Sequence, residues 1–421
     1  MRVALVHLRH AHTGGTERYL NLVAGYLAER GDDVTIVCRS HESPPHPAVR
    51  FVKLRPLAIG GTARIKTFAR AVEKHVRATA YDVVYDLGRA WTHDVVRLGG
   101  GCQATYLELA HAATLKPWEK FVGARAGKHR LALAIEARAL GPGNYKRVVV
   151  NSKMVAEDVA RRHGVPREKI ELVYNGVDLE RYSPAHRATM GALLRAELGI
   201  GPDERVVLFL GSGYGRKGLD VVLEAFARVA RDDSSPHADG ARAGSSSHAP
   251  SAPSGTDSPA SSARSGPLRL AVVGYDSEQP RFEARAAELG LAARASFLGG
   301  RRDTEACYAL GDLYVLPTRY DPFANTTLEA LASGLPAITS ATNGASELIT
   351  EDVDGAVLAR ADDVDALERA LRRWIVPERL ATGARAARAL AEQHSARSKC
   401  AQSAALLDRV AAEKRAELAA R

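Results

Sequence analysis

Short apolar segments that each lead through a glycine turn into a helical stretch constrain the fold of this chain more than any other feature. Near the N-terminus, Val3–Val6 is followed by the Gly14-Gly15 turn and a helical pattern, and Val34–Val37 completes a βαβ unit. The same order begins again at Val206–Leu210, which leads into the glycine-rich turn 211–218. Continuous apolar strands that alternate with helices are typical of parallel sheets covered on both faces. The sequence therefore predicts an α/β protein with two doubly wound parallel-sheet domains.

The two repeats of this pattern also predict where the domains lie. We expect an N-terminal domain over residues 1–180, a C-terminal domain over residues 181–375 and a helical segment over residues 376–421. Residues 233–267, inside the second domain, contain eleven Ser, seven Ala, five Pro and four Gly, and no aliphatic or aromatic residue beyond alanine. Because so little apolar surface cannot offset the entropy of ordering, the sequence predicts a disordered insertion there. An inert expansion is favoured over a phosphorylated or partner-binding segment.

The cysteines and the apolar runs predict the compartment. The four cysteines lie far apart in the sequence and form neither a disulfide framework nor a pattern with zinc-ligand spacing. The longest wholly apolar runs are strand-sized, and the first residues include no signal-peptide core. We therefore expect a protein of the cytoplasm.

The charge balance favours acidic partners. The chain has 58 Lys and Arg against 49 Asp and Glu, which gives a formal net charge of +9. Residues 111–150 are especially basic, with eight cations against Glu119 and Glu136, and they include Trp118 and Phe121. Such a segment is typical either of docking to an anionic membrane surface or of a solvated helical face, and the sequence leaves both open. Nucleic-acid binding is disfavoured because no recognition motif accompanies the charge.

Two glycine turns are candidate phosphate sites. At Gly14-Gly15, backbone N–H groups and the positive end of the following helix point at the same place. The turn 211–218 resembles two nucleotide-binding loops and matches neither, because Arg216 stands where a dinucleotide fingerprint needs glycine, and Gly218 stands where a Walker loop needs Ser or Thr. A nicotinamide-dependent enzyme is therefore disfavoured. Arg216 and Lys217 at a helix start instead indicate a diphosphate ligand.

A third motif places two carboxylates around a predicted helix start. Asp321 follows the strand that ends at Pro317, and Glu329 lies one turn inside the helix that begins near Asn325 or Thr326. Backbone amides at such a start bind phosphate, and nearby carboxylates accept hydrogen bonds from sugar hydroxyls. The motif therefore indicates a ligand that carries both groups.

Together these motifs resemble the family 4 retaining glycosyltransferases, and among them the enzymes that glucosylate the lipopolysaccharide core. The family signature is an acidic residue followed by seven residues and a Glu, which Asp321 and Glu329 satisfy, although most members have Glu at the first position. Shorter matches are Tyr174–Asp178, Gly299–Arg301, Leu331–Pro336 and the Gly-Arg-Lys-Gly turn. The resemblance spans Val3 to the region of Trp374 and implies the GT-B fold, in which two Rossmann-like domains face a central cleft.

The resemblance implies a donor site in which no metal and no cofactor is needed beside the nucleotide-sugar. Glu329 would hold the ribose, and Asp321 would contact hydroxyls of the transferred sugar. Arg216 and Lys217 would neutralise the diphosphate as it leaves. The implied donor-binding set is Gly14, Gly15, Arg216, Lys217, Arg301, Ala324, Asn325, Thr326, Thr327 and Glu329, with Arg301 near the base.

The acceptor side is less sharply indicated. Asp94 is the candidate catalytic group there, beside Asp321, Arg216 and Lys217 of the donor side. His93 and His111 are candidates to orient an acceptor hydroxyl.

The implied activity is transfer of a hexose, with UDP-glucose as the expected donor, to a lipopolysaccharide core or similar envelope glycan. The implied partners are the nucleotide-sugar, a lipid-linked or glycan acceptor, and the anionic inner face of the cytoplasmic membrane. Two alternatives stay open. One is a glycosyltransferase for capsule, exopolysaccharide or a small glycoside, and the other is a GT-B-shaped binding protein that has lost turnover.

Overall fold

Two parallel β-sheets form the framework of the protein. In this computed structural model, which describes residues 1–88, 90–111, 126–232 and 266–420, the first sheet has seven strands and the second has six. The α/β architecture of two parallel-sheet domains is therefore confirmed. Most of the insertion predicted at 233–267 lies outside the described residues, as does the stretch 112–125 of the basic segment.

In the first sheet the strands lie in the order β3-β2-β1-β4-β5-β6-β7, with bounds β1 Arg2–Val6, β2 Asp33–Cys38, β3 Arg50–Lys53, β4 Val83–Asp86, β5 Val95–Arg97, β6 Arg147–Val150 and β7 Ile170–Leu172. In the second sheet the order is β10-β9-β8-β11-β12-β13, with bounds β8 Arg205–Leu210, β9 Leu268–Val273, β10 Ala295–Phe297, β11 Leu313–Leu316, β12 Ala337–Ser340 and β13 Gly355–Leu358.

The α-helices of the first domain are α1 Gly15–Glu29, α2 Gly61–Ala78, α3 Gln103–Tyr106, which continues as a π-helical turn Leu107–His111, α4 Ala126–Ala139 and α5 Lys153–His163. Those that follow are α6 Met190–Glu197, α7 Tyr214–Lys217, α8 Leu219–Asp232, α9 Gln279–Glu288, α10 Thr304–Leu310, α11 Asn325–Ala332, α12 Val364–Trp374, α13 Pro377–Glu392 and α14 Ala396–Ala419.

The first strand shows how the sheet is covered on both faces. Successive side chains of a strand point to opposite faces. Val3 and Leu5 pack in a core with α1 and α14, whereas Ala4 and Val6 pack in a second core with α2. The near-continuous apolar sequence of the strand follows from this double burial.

The strand order places both glycine turns at ligand-binding positions. Chain order reverses between β1 and β4 in the first sheet and between β8 and β11 in the second. In open α/β sheets, ligands bind at such reversals, beyond the carboxyl ends of the strands. Gly14-Gly15 follows β1 and residues 211–218 follow β8, so the two turns lie at the two reversals.

The last helix crosses from the second domain back to the first. Helix α13 packs against α11, whereas α14 packs against α1. The hydroxyl groups of Ser403 and Tyr19 are hydrogen-bonded at 2.9 Å, and Arg30 donates two hydrogen bonds to Asp408 at 2.7 and 3.0 Å. The C-terminal helical segment is thus part of both domains.

Two features bear on the predicted compartment. All four cysteines are buried and free. In the part of the chain that the structure describes, no helix is long and apolar enough to cross a bilayer.

Candidate active site at the cleft between the domains

The turn after β8 presents two cations at the second-domain wall of the cleft. Its backbone requires glycine at Gly218, where φ is +80° and an added Cβ would lie 2.2 Å from the carbonyl oxygen of Pro317. The single helical turn α7 ends at this glycine and carries Arg216 and Lys217. The glycine therefore lets the cations approach the loop after β11.

Lys217 and Asp321 form a buried ion pair. The Lys217 ammonium donates to Asp321 Oδ2, Arg216 Nη1 lies 3.5 Å from the same oxygen, and the Phe323 N–H donates to Asp321 Oδ1 at 3.2 Å. Burial alone would raise the pKa of Asp321, but Lys217 and Arg216 hold it below its ordinary value. The carboxylate is therefore ionised at neutral pH, and the three predicted residues meet at one point.

Asn343 fixes the loop that leads from Asp321 into α11. Its Oδ1 accepts from the Ala324 N–H at 3.0 Å, and its Nδ2 donates to the Thr327 hydroxyl at 3.1 Å. The Ala324 N–H and the hydroxyl of the fully buried Thr327 are thus already engaged inside the protein. Thr326 accepts a hydrogen bond from the Tyr314 hydroxyl at 2.8 Å. Of residues 324–327, Asn325 is the one that lines the cleft, and the backbone contacts of this stretch with a donor stay a prediction.

Two cavities meet at Asn325. The cleft cavity, of about 330 Å³, is lined by Gly15, Arg97, Asn151, Asn175, Arg216, Asp321 and Asn325 together with neighbouring residues. The junction cavity, of about 660 Å³, is lined by Arg18, Asp178, Tyr182, Asn325 and Glu329 among others. A ligand that contacts both Asp321 and Glu329 would therefore pass Asn325.

Glu329 has both carboxylate oxygens engaged, one of them across the cleft. Its Oε1 is ion-paired with Arg18 of the first domain, and its Oε2 accepts a hydrogen bond from the Tyr308 hydroxyl at 2.9 Å. Glu329 is buried, so these two partners supply the hydrogen bonds that its carboxylate would otherwise form with water.

The Gly14-Gly15 turn faces this wall from the first domain. Gly14 has φ +109° and precedes the first residue of α1. A Cβ added at Gly15 would lie 3.7 Å from Asn325 Nδ2. The backbone at Gly15 therefore lies within side-chain contact distance of the opposite domain.

The acceptor-side predictions need correction. Asp94 lies just before β5, at the amino end of the strand, where its carboxylate accepts from the Val84 N–H at 2.9 Å and pairs with Lys414 at 2.8 Å. It therefore fixes the edge of the sheet opposite the cleft. The His93 side chain is wholly buried with Nδ1 3.8 Å from Asp86, and burial lowers its pKa, so it reaches no ligand. The side chain of His111 lies outside the described residues.

Arg301 is held by a carboxylate of its own loop. Its Nε and Nη2 donate to Asp303 at 3.0 and 2.7 Å. The residue lies after β10 and is not in the lining of the cleft or junction cavity among the described residues. Its place near a nucleotide base stays a prediction.

Sequence reasoning missed the groups that join the domains. Glu347 accepts from the N–H groups of Lys153 and Met154 at 2.7 and 2.8 Å and from the Tyr174 hydroxyl at 2.9 Å, so a second-domain carboxylate caps α5 of the first domain. Arg18 was equally overlooked, although it stands only three residues after Gly15. Asn175, which donates to Asn325 at 2.6 Å, belongs to the short matched motif at the domain junction.

Comparison with known proteins agrees with this geometry. A model of Glycosyltransferase Family 4 matches residues 13–181, and a model of Glycosyl transferases group 1 matches residues 258–376. Both models describe glycosyltransferases, and the chain belongs among these enzymes. The first model covers the Gly14-Gly15 turn and the second covers Asp321 and Glu329, so the two matched regions lie on the two sides of the cleft.

The relatives of this glycosyltransferase extend over nearly its whole length. Lipopolysaccharide glucosyltransferase WaaG of Escherichia coli (strain K12) is 23% identical over 373 residues, which cover 89% of each chain. The crystal structure of WaaG matches with a TM-score of 0.73 at 22% identity, covering 96% of this chain and 99% of that chain. The complex of Anabaena Alr3699/HepE with UDP and glucose matches with a TM-score of 0.66 at 19% identity, covering 97% and 99%. These likenesses confirm the GT-B fold.

Proposed function

We propose that this glycosyltransferase transfers glucose from UDP-glucose, with retention of configuration, to a lipopolysaccharide core or similar envelope glycan. The observation that carries the proposal is the cluster of Arg216, Lys217 and Asp321, which faces the Gly15 turn across the cleft cavity. The similarity to WaaG supports the acceptor class, and the similarity to a protein that binds UDP and glucose supports the donor.

The described side chains fit a nucleotide-sugar that lies along the second-domain wall. Glu329 would accept hydrogen bonds from the ribose hydroxyls, and Asp321 from hydroxyls of the sugar. Negative charge develops on the diphosphate as the glycosidic bond breaks. Arg216 and Lys217 would stabilise that charge in a site from which water is excluded. Retention follows if the acceptor attacks from the face that the diphosphate leaves, with a diphosphate oxygen assisting deprotonation.

We propose further that the reaction needs no divalent metal. Two cations and the positive end of α11 would already neutralise the diphosphate charge that a metal ion would otherwise neutralise. Transfer should therefore be the same in EDTA as in Mg²⁺, and loss of activity in EDTA would contradict this.

The experiment that tests the proposal measures binding and slow hydrolysis of UDP-, GDP-, ADP- and CMP-sugars by the wild type and by Glu329→Gln. We expect UDP-glucose to bind and to be hydrolysed, and the variant to lose most of both. Glu368→Gln, a surface carboxylate on α12, serves as the matched control. Preference for another nucleotide-sugar would assign a different donor, and binding without turnover of any donor would favour a protein that has lost catalysis.

Access to a lipid-linked acceptor would require a membrane-facing surface, and the described cations of the segment 111–150 are poor candidates for it. In the segment 111–150, Arg138 pairs with Glu73, Lys146 with Glu417 and Arg147 with Glu413. These three cations are therefore largely neutralised within the protein.

A second basic region, over residues 53–77, combines cations with exposed apolar side chains. Leu57 and Ile59, in the loop between β3 and α2, are 98% and 97% exposed. Residues 53–77 contain seven Lys and Arg and a single acid, Glu73. Bulky apolar side chains that project among cations are typical of docking to anionic lipid. We propose that this docking surface, Leu57 and Ile59 with the cations of residues 53–77, brings the enzyme to the membrane.

A further inference from the structure

Three side chains on the first-domain wall of the cleft have a buried polar atom without a hydrogen-bond partner in the described part of the chain. The atoms are Arg97 Nη1, Asn151 Oδ1 and His7 Nδ1. Arg97 and Asn151 line the cleft cavity. Arg97 and His7 line a smaller first-domain cavity of about 170 Å³, whose lining residues all belong to the first domain. Buried polar atoms of native proteins are nearly always paired, so three orphans that face connected space point to a ligand.

Of the three side chains, Arg97 most requires a partner, because it is a buried cation. It is 3% exposed, its Nη2 donates to Asn175 Oδ1 at 2.5 Å, and its guanidinium lies over the Tyr19 ring at 3.7 Å from the centroid. Among the described residues, no carboxylate lies within 4.0 Å of it. A buried cation without a counter-charge is costly unless something else supplies the charge.

The two acids that line the first-domain cavity, Asp86 and Glu136, have hydrogen-bond partners other than Arg97. Glu136 accepts hydrogen bonds from the Gln103 N–H at 3.0 Å and is paired with His163 at 3.1 Å. Asp86 accepts from the Ala90 N–H at 3.2 Å. These contacts leave the charge of Arg97 to be met from the cavity itself.

The diphosphate of the donor is not the obvious counter-ion. Arg216 and Lys217 stand on the opposite wall, next to the sugar-binding Asp321. Arg97 lies on β5 of the first domain and lines both the cleft cavity and the first-domain cavity, the second of which has no lining residue from the second domain. An anion in the first-domain cavity would therefore come from the acceptor.

We propose that Arg97 binds an anionic group, a phosphate or a carboxylate, carried by the acceptor sugar, and that Asn151 and His7 bind its hydroxyls. Guanidinium groups bind both anions through paired N–H donors. Asn151 donates its amide hydrogen to the Gly99 carbonyl at 3.0 Å, which orients its free oxygen to accept a hydroxyl hydrogen. This inference rests on the proposed glycosyltransferase reaction and specifies its acceptor.

Calorimetric titration with UDP present tests the proposal. The probes are glucose, glucose 6-phosphate and glucuronate, which separate a neutral sugar from a phosphate and a carboxylate. The wild type should bind at least one of the anionic sugars about tenfold to a hundredfold more tightly than glucose, as expected for a hydrogen bond to a charged group. Arg97→Gln should abolish that preference, and Arg97→Lys should keep part of it.

Controls separate this inference from the proposed function. Arg50→Gln removes an exposed cation of the same domain and should leave the preference unchanged. UDP affinity and donor hydrolysis should stay within about twofold in Arg97→Gln, because the proposal assigns Arg97 to the acceptor and not to the donor. Equal affinity of the wild type for all three probes would overturn the proposal. A large loss of UDP affinity in Arg97→Gln would overturn it as well, by assigning Arg97 to the diphosphate.

Discussion

Arg18 of the first domain is ion-paired with Glu329 of the second domain in the lining of the junction cavity. In the proposed donor site Glu329 binds the ribose. A ribose hydroxyl that donates to Glu329 would then share or replace the Arg18 contact. The proposal therefore couples donor binding to a contact between the two domains through one carboxylate.

Substitutions at this pair should act in opposite directions. Glu329→Gln keeps the shape but removes the charged acceptor, so we expect the Kd for UDP to rise about tenfold to a hundredfold. Arg18→Met removes the competing partner and should lower that Kd about threefold. Calorimetric titration with UDP measures both. A higher Kd in Arg18→Met would mean that Arg18 binds the nucleotide itself.

Lys217 should matter to stability as well as to turnover. Lys217→Met leaves the buried Asp321 carboxylate without its closest cation, and we expect a loss of about 3 kcal/mol in the free energy of unfolding. Arg216→Met should lose at most about 1 kcal/mol, because Arg216 is more exposed and its contact is longer. Both variants should lower kcat for donor turnover by about 10²-fold or more. Denaturant titration and steady-state kinetics give the two quantities.

The double variant Lys217→Met with Asp321→Leu tests the cause of that loss. Removing both charges should recover most of the stability, because no unpaired carboxylate remains. Activity should not return. Stability as low as in Lys217→Met would show that packing, rather than the orphaned charge, is responsible.

His394 should make stability fall in mild acid. It lies between α13 and α14, its carbonyl accepts from the Val177 N–H at 3.0 Å, and burial lowers the pKa of its ring to about 4. Because the unfolded chain takes up this proton near pH 6.5 and the folded chain only near pH 4, stability is lost as pH falls between those values. His394→Gln should flatten the decline of the unfolding midpoint over that window. His46→Gln, on a first-domain loop, should leave the decline as it is in the wild type.

The proposed docking surface should be separable from catalysis. Leu57→Asp and Ile59→Asp should each weaken binding to vesicles that contain phosphatidylglycerol by about tenfold, since each removes an apolar side chain that membrane binding would bury in the bilayer. Binding should also weaken with salt. Leu193→Asp, which changes an equally bulky residue exposed on α6, is the control. Co-sedimentation measures vesicle binding, and UDP-glucose hydrolysis on the same samples shows whether catalysis is kept. Unchanged vesicle binding in both variants would contradict the assignment.

The sequence was sufficient to predict which residues meet on the second-domain wall of the cleft, because the patterns that identify them are local. A glycine turn after a buried strand fixes where Arg216 and Lys217 must lie, and parallel strands bring their carboxyl ends to one edge. Asp321 therefore meets Lys217 although 104 positions separate them in the sequence. Residues that share a sheet edge can be predicted together without knowing any contact between side chains.

The acceptor side shows where that reasoning stops. Asp94 stands close to the predicted cleft region in sequence, but one strand carries it to the amino edge, where it binds Lys414 of the last helix. Arg97, three residues later, emerges at the cleft instead. The two ends of one short strand thus lie at opposite edges of the sheet, and only the residue at the cleft edge can contact a ligand. Hydropathy does not show where so short a strand begins and ends. Partners such as Glu347 are equally hidden, because they depend on how two domains meet.

The return of α14 to the first domain sets an order for synthesis. Cys400, Leu407 and Val410 complete the same core as Val3 and Leu20, near the start of the chain. A ribosome that adds about 5–20 residues per second needs roughly 20 to 70 s to pass from the end of α1 to the start of α14. During that time the inner faces of β1 and α1 lack their covering helix. The nascent chain must therefore keep an apolar surface from aggregating until almost the whole protein has been made.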